Sequence, residues 1–538
     1  MQTIRLIGRS SRLSLLQIDI IKQKIKSAFP QLNVEVIAHS SRGDALQEIP
    51  LHTVEGSDFF TQDIFDALAN GEADIAVHSL KDMSSEHFFG KNVFAVVDRD
   101  DTRDVAIFNN SIEQKIKNGD TIIIGTCSPR REEMATVFLK KALPQLHREI
   151  KIETKHIRGN VETRLRKLNS GEYDATILAT AGLNRLLRPH LNPLQRRGLS
   201  GTLIKETVPG DSDIIKKLLA DKKLMLLPLI ECVPAPCQGA IVAEVHPSNA
   251  NAIEVLKKIN DEELFADCYA EKKEAVKYGA GCIQKFGVTT FDTKNGKYLY
   301  AAGKDAEGTE FVKWSHLPVI NINSDKLFTS TEVMKDFFEY KWDEGEIKID
   351  NPVVFVANYK AVQGPHLNPL QRRGLSDTST ILNRKIILAS GTKTWFELAK
   401  QGYWVSASAD ALGFEFLLPS LQMPLFNIQP ENISVLTHEA AADRWRKKGY
   451  DAVSNYKLLT INNEAIQLAI AAADSIFWSS FSQYEFYGKY ASPDAKHLCA
   501  GGETAELLKE AGIMPVIFPT IKSFQQWRNS SIRSHSVA

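Results

Sequence analysis

The chain has 538 residues, 43% of them hydrophobic and 24% charged, with 65 basic and 65 acidic side chains cancelling to a formal net charge of zero. That length exceeds one hydrophobic core and implies three to five domains. The balanced charge excludes a globally basic nucleic-acid or membrane-surface binder, so any anion site must be a local cluster.

Residues 4–7 read as a first strand with no basic-then-apolar leader before it, and no apolar run approaches membrane-spanning length. A helix is expected from about Ser11 to Ala28, with Leu13, Leu16, Ile20, Ile21 and Ile25 at helical spacing. Strand 34–38, a helix near 60–69 and strand 74–78 follow. Residues 121–125 form a strand running into a turn, where Ser128 is an N-cap and Pro129 takes the first helical position. A helix over 161–168 and strand 175–179 continue the alternation, which gives a parallel, doubly wound α/β sheet. From about Asp261 the order changes to a helix ending near Lys277, a small-residue loop around Cys282, and a hairpin at Asn295-Gly296. That is a small α+β domain.

The run at 189–200, PHLNPLQRRGLS, recurs identically at 365–376. Two copies could be a paired basic docking arm. The blander reading is one insert placed in two surface loops, where added length costs little. Further on, Gly391-Thr392-Lys393-Thr394 with Leu398 and Gly402 parallels Gly501-Gly502-Glu503-Thr504 with Leu508 and Gly512. Each unit reads strand, glycine turn, helix start, helix, glycine cap, strand. Phe477-Trp478-Ser479-Ser480 is a serine-bearing strand end facing the second turn.

Six cysteines (Cys127, Cys232, Cys237, Cys268, Cys282, Cys499) stand without a Cys-x-x-Cys pair. This speaks against a zinc ribbon or a disulfide framework and for a reducing compartment, and no metal site is expected. Cys282 differs from the others in its setting, Gly279-Ala280-Gly281-Cys282, where small neighbours let a bulky adduct approach the backbone. A lone cysteine is otherwise a small buried hydrophobe. Upstream stand Asp74-Ile75-Ala76-Val77-His78-Ser79-Leu80-Lys81-Asp82, then Arg130-Arg131, then Arg158-Gly159-Asn160-Val161-Glu162-Thr163-Arg164. One thiol, one strand-end carboxylate and several arginines suit covalent chemistry on a polycarboxylate. Taken alone, Lys81-Asp82 could equally be a solvated pair capping the next helix.

With these motifs in this order, the chain from about Thr3 to Lys313 resembles hydroxymethylbilane synthase, also called porphobilinogen deaminase. The resemblance implies a cytoplasmic, monomeric enzyme that joins four porphobilinogens on a dipyrromethane cofactor covalently attached to Cys282. No nucleic-acid or membrane partner is implied. Asp82 would be the catalytic carboxylate. Lys81, Arg130, Arg131, Ser128 and Thr126 would bind the cofactor. Arg9, Ser11, Gln17, Arg158 and Arg164 would bind substrate, with Arg103 as a further arginine. Arginine's planar fork binds a carboxylate with two hydrogen bonds, and the N-terminus near Arg158 and Arg164 itself favours anions. The chain departs from the family pattern at Ser57, Gln62, Arg12 and Ala280, and Cys237 stands where glycine is expected before Gln238-Gly239.

Residues from about 340 to 525 resemble uroporphyrinogen-III synthase, which would take the linear tetrapyrrole and close it, with Ser479, Ser480 and Thr504 binding its carboxylates. The implied fold is two doubly wound, periplasmic-binding-protein-like lobes and a small α+β domain, followed by a two-lobed α/β region. The boundaries follow as 1–100 with 238–258 for lobe 1, and 101–237 for lobe 2 with an insert near 188–215. The cofactor-carrying domain takes 259–335, and the last region 340–538 with an insert near 364–380. One alternative makes the C-terminal half a non-catalytic docking module. Another makes the whole chain a solute-binding protein, which would need neither Cys282 nor Asp82.

Overall fold

The computed structural model describes residues 3–39, 62–146, 148–188, 195–197, 203–205, 211–279, 284–320, 326–343, 347–363, 381–382 and 384–535. Cys282, Ser57, Ala280 and the second copy of the repeated run lie outside these residues. Of Gln62 only the backbone, at the start of helix Gln62–Ala69, is described.

Two mixed sheets carry the N-terminal part. The first has strand order Leu203–Lys205, Gln195–Arg197, Asn33–His39, Thr3–Arg9, Ile75–Ser79, Ala240–Val245, Val93–Arg99. The second has Lys223–Leu226, Asp104–Phe108, Ala175–Ala179, Ile122–Gly125, Ile152–Lys155. All the strands expected from the alternation fall in these sheets, but neither sheet is purely parallel. Ala240–Val245 runs antiparallel to both its neighbours, and Asp104–Phe108 runs antiparallel to Ala175–Ala179. The cause is the path of the chain, which crosses from one sheet to the other after Arg99 and returns between Leu226 and Ala240. A strand arriving from a neighbouring lobe is not bound by the crossover helix that forces parallel pairing. The two crossings touch at Gly239, whose φ is 86° and where a Cβ would sit 2.4 Å from the Asp100 carbonyl oxygen. Only glycine permits that approach.

Helix Arg12–Ala28 packs on the first sheet through Leu15, Ile18, Ile21 and Ile25, while Leu16 joins the core of the second lobe. Leu13 and Ile20, also expected on that face, are only partly buried. Ser11 caps the helix, its Oγ accepting from the Ser14 N–H at 3.4 Å. The first copy of the repeated run contributes Gln195–Arg197, which pairs in parallel with strand Asn33–His39 through Arg197 and Ile37.

Helix Glu262–Ala275 covers a three-stranded antiparallel sheet, Lys285–Thr293, Gly296–Lys304 and Glu310–Ser315. Its first hairpin turns at Asn295-Gly296 as expected, with φ 132° at Gly296. Beyond it lie two parallel sheets. One has the order Val405–Ser408, Ile386–Ala389, Val353–Val356, Ile433–Thr437, Asp451–Ser454. The other runs Leu327–Thr329, Ser475–Trp478, Lys496–Ala500, Val516–Phe518. An antiparallel ladder of Phe338–Trp342 and Tyr456–Thr460 joins them. Both glycine-turn units appear here as read: Ile386–Ala389, helix Thr392–Lys400, Gly402, Val405–Ser408, and Lys496–Ala500, helix Glu503–Glu510, Gly512, Val516–Phe518. One strand falls across the expected boundary. Leu327–Thr329, counted with the cofactor-carrying domain, pairs instead with Ser475–Trp478. Nothing local in three residues announces a partner some 150 positions away.

The five-stranded C-terminal lobe shares a core with the second N-terminal sheet. Phe138, Leu139 and Ala142 from helix Pro129–Ala142 pack with Trp395, Leu398, Ala399 and Tyr403. The Trp395 Nε1–H donates to the Ala142 carbonyl at 3.0 Å, and the Gln145 N–H to that of Ala399 at 2.9 Å.

Candidate active site

The 3₁₀ turn Leu80–Asp82 follows directly from strand Ile75–Ser79 and leaves the Asp82 side chain exposed at the strand's C-terminal end, where α/β sheets present ligands. The strand is fixed on both sides. Gln17 Nε2 donates to Ser79 Oγ at 2.7 Å. His78 Nε2 lies 3.0 Å from Glu244 Oε2, and His87 Nε2 lies 2.6 Å from Glu244 Oε1. Burial alone would raise the Glu244 carboxyl, yet the two adjacent histidines hold it at about 2.

From the second sheet comes the cationic wall. Ser128 occupies the N-cap of helix Pro129–Ala142 and Thr126 Oγ1 accepts from its N–H at 3.2 Å, which places Arg130 and Arg131 in the first turn. Both guanidiniums turn onto Asp104. Arg130 Nη2 donates to its Oδ2 at 2.7 Å, Arg131 Nη2 to Oδ1 at 2.8 Å, and Gln238 Nε2 to Oδ1 at 2.9 Å. Arg130 Nη1 also donates to the Val233 carbonyl at 2.6 Å. Against the cost of burial, the two arginines hold the Asp104 carboxyl well below the usual carboxylate range. An uncompensated buried charge costs about 3–5 kcal/mol, so Asp104 and the arginine pair depend on one another for their geometry. Arg164, on helix Val161–Asn169, donates through Nε to the Gly159 carbonyl at 2.8 Å and brings Nη2 within 3.9 Å of Cys127 Sγ.

These groups face each other across the lobes. Burial lowers the Lys81 ammonium from its ordinary range; Asp82 and Asp104 oppose the shift while Arg131 and Arg130 reinforce it. Asp82 also acts on both Arg131 and Arg164. Lys81, Asp82, Arg130, Arg131 and Arg164 are thus brought into one cleft. Arg9 ends strand Thr3–Arg9, and Arg158 is half-buried ahead of the Asn160-capped helix. Arg103 is placed elsewhere: its side chain is 5% exposed and meets Ser420 and Asp410 of the C-terminal region. A contact with a residue more than 300 positions away leaves no local sequence signal.

Sequence reasoning missed Asp104 and Gln238, the brace behind the arginines, because paired residues 26 or more positions apart carry no periodic pattern. Cys127 carries no motif of its own, yet its thiol lies beside Arg164. Cys237, read as out of place, has φ 60°, a left-handed backbone that favours glycine.

The Cys282 loop leads into strand Lys285–Thr293. That strand is pinned to the wall of the cleft: the Val288 N–H donates to the Pro234 carbonyl at 3.0 Å, and a Cβ at Gly287 would sit 2.3 Å from the Val233 carbonyl oxygen, the acceptor for Arg130. In the C-terminal region, Ser479 Oγ donates to Gln483 Oε1 at 2.9 Å and Ser330 Oγ donates to Ser479 Oγ at 3.1 Å. The Ser480 N–H bonds to the same Gln483 oxygen at 3.1 Å. Thr504 stands half-buried in the first turn of helix Glu503–Glu510.

The N-terminal part is therefore a two-lobed α/β protein with a carboxylate on one lobe facing an arginine wall on the other. The model of the porphobilinogen deaminase family's dipyrromethane cofactor binding domain matches residues 4–254. A probable porphobilinogen deaminase of Pyrobaculum islandicum is 32% identical over 311 residues, covering 57% of this chain and 89% of that protein. The porphobilinogen deaminase of Chromobacterium violaceum is 32% identical over 287 residues, covering 53% and 79%. The chain belongs to the porphobilinogen deaminase family, transferases of tetrapyrrole biosynthesis whose cofactor is dipyrromethane and whose substrate is porphobilinogen. No helix among the described residues is long and apolar enough to cross a membrane.

Proposed function

We propose that the chain condenses four porphobilinogens to hydroxymethylbilane on dipyrromethane attached to Cys282, and that its C-terminal region then closes this product to uroporphyrinogen III. The observation that carries the first part is the meeting of Lys81 and Asp82 with the wall of Arg130, Arg131 and Arg164. The donor set suits the cofactor, because dipyrromethane bears several carboxylates and the cleft offers Lys81 and three arginines against Asp82 and an already committed Asp104. When bound, the cofactor supplies the pyrrole carbon that starts the chain. Lys81, Arg130 and Arg131 hold its carboxylates with Ser128 and Thr126, while Arg9, Ser11, Gln17, Arg158 and Arg164 orient the incoming porphobilinogen. Asp82 stabilises the positive charge that develops as ammonia leaves the substrate and passes a proton at its carboxylate.

The second part is supported by the paired glycine-turn units, by two parallel sheets joined through a ladder, and by the adjacency of strands Ser475–Trp478 and Lys496–Ala500. These set the serine-bearing end beside the Gly501 turn. Because the linear product loses water spontaneously, such a site has mainly to hold one folded conformation, with Ser479, Ser480 and Thr504 on its carboxylates. A competing reading, a docking module without catalysis, is favoured by the engagement of Ser479 and of the Ser480 backbone with Gln483. Incubating the chain with porphobilinogen, oxidising the products and separating uroporphyrin isomers decides between them. Predominant isomer III is expected, and isomer I alone leaves only the docking module.

A further inference from the structure

The groups assigned to catalysis are divided between the lobes, Lys81 and Asp82 on one and the arginine wall on the other. The lobes are joined by the two chain crossings, from Arg99 to Asp104 and from Leu226 to Ala240, and by Leu13 and Leu16 of helix Arg12–Ala28, which pack in the core of the second lobe. One carboxylate must serve every addition, so the growing chain has to move past Asp82 while the lobes yield around it. Contacts made on the crossings are therefore placed to influence that movement.

The C-terminal region grips both. On the first crossing, Arg103 Nη1 donates to Ser420 Oγ at 2.7 Å, and its Nη2 lies 3.5 Å from Asp410 Oδ2. Its guanidinium also sits 4.9 Å from the centre of the Phe416 ring. The Asp410 side chain is fully buried. Asp410 and Ala411 both have left-handed backbones, φ 54° and 58°, an unfavourable conformation for residues with side chains, and that turn delivers the carboxylate to the crossing. On the second crossing, Leu229 and Ile230 pack with Leu412 and Phe416. Asn184 ties the grip together: its Nδ2 donates to Asp100 Oδ1 at 2.8 Å while its Oδ1 accepts from the Leu425 N–H at 3.2 Å.

We propose that Asp410 and Ser420 are positioning residues for the deaminase reaction, acting through Arg103 to limit how far the two lobes open over the growing chain. This rests on the assignment of Asp82 and the arginines to one cleft. It gives the C-terminal half a task in the first reaction whether or not it catalyses a second.

The test uses the full chain carrying Asp410→Asn and Ser420→Ala, singly and together. Three quantities are read: kcat and KM for porphobilinogen consumption, the distribution of enzyme-bound intermediates by intact mass, and hydrogen exchange over 100–104 and 227–238. A misplacement of about 1 Å far from the chemistry costs up to about a hundredfold in rate. The double variant is expected to lose about tenfold in kcat with KM changed less than about twofold. Its intermediates should redistribute, and exchange should rise at both crossings. A merely structural contact would lower the melting temperature while leaving kcat and the intermediates as they were, which would overturn the proposal. Should the double variant fail to fold, Ser420→Ala, which removes only the 2.7 Å bond, separates the same two outcomes. Asp82→Asn measured alongside distinguishes this proposal from the cleft assignment, since full turnover by that variant defeats the assignment itself.

Discussion

Asp82→Asn is expected to lower kcat for porphobilinogen consumption by about 10²- to 10³-fold, the usual cost of removing a preorganised charge from a site of developing charge. The asparagine keeps the side chain's shape and loses the negative charge and the basic oxygen. Asp82 is exposed at the end of the turn Leu80–Asp82 and supports no core, so the melting temperature should hardly move. Its charge is the free counterpart to Lys81, Arg131 and Arg164, because Asp104 is committed to bracing Arg130 and Arg131 from behind. Substrate binding, which falls to the arginines, should survive. The expected pattern is a fall in kcat with KM changed little, measured by steady-state consumption at several porphobilinogen concentrations.

Cys282→Ser is expected to leave the chain without covalent cofactor and without turnover. A serine hydroxyl is far less nucleophilic at neutral pH than a thiol with a few per cent thiolate. Among the described residues, the buried cysteines Cys232, Cys237, Cys268 and Cys499 offer no ready substitute. Cys232 and Cys237 are buried with thiols raised well above their ordinary range by burial, and burial pushes Cys499 up to about 12. Cys127 is half-buried in the cleft and is the one thiol placed to compete. Peptide mapping of the Cys282→Ser chain after incubation with porphobilinogen checks both points. An unmodified chain is expected, and normal turnover would end the assignment of Cys282 as anchor.

Much of the candidate site was legible because its motifs are local. His78-Ser79-Leu80-Lys81-Asp82 is a strand end and one turn, and Ser128-Pro129-Arg130-Arg131 is a cap and the first turn of a helix. The residues that hold those motifs in place were not legible. Asp104 faces Arg130 and Arg131 from 26 and 27 positions away, and Glu244 meets His78 and His87 across more than 150. Arg103 shows the same limit most sharply: its motif position suggested substrate, while tertiary packing gives it to Asp410 and Ser420. In the fold, periodicity located strands such as Ala175–Ala179 but not their direction. Ala240–Val245 lies antiparallel between two neighbours because the chain re-enters the first lobe from the second, a property of the path and not of the segment. The paired glycine turns at 391 and 501 were readable because each is a complete unit with its own turn chemistry. Leu327–Thr329, three residues completing a distant sheet, carried no such signal.

The central claim is that the Asp82 and arginine cleft builds a pyrrole chain covalently on this polypeptide. Intact mass measured before and after brief exposure of the purified chain to porphobilinogen tests it most directly. The expected result is a starting mass that already includes dipyrromethane, followed by a ladder whose rungs each add one porphobilinogen less ammonia. A starting mass equal to the bare polypeptide that stays unchanged on exposure would contradict it.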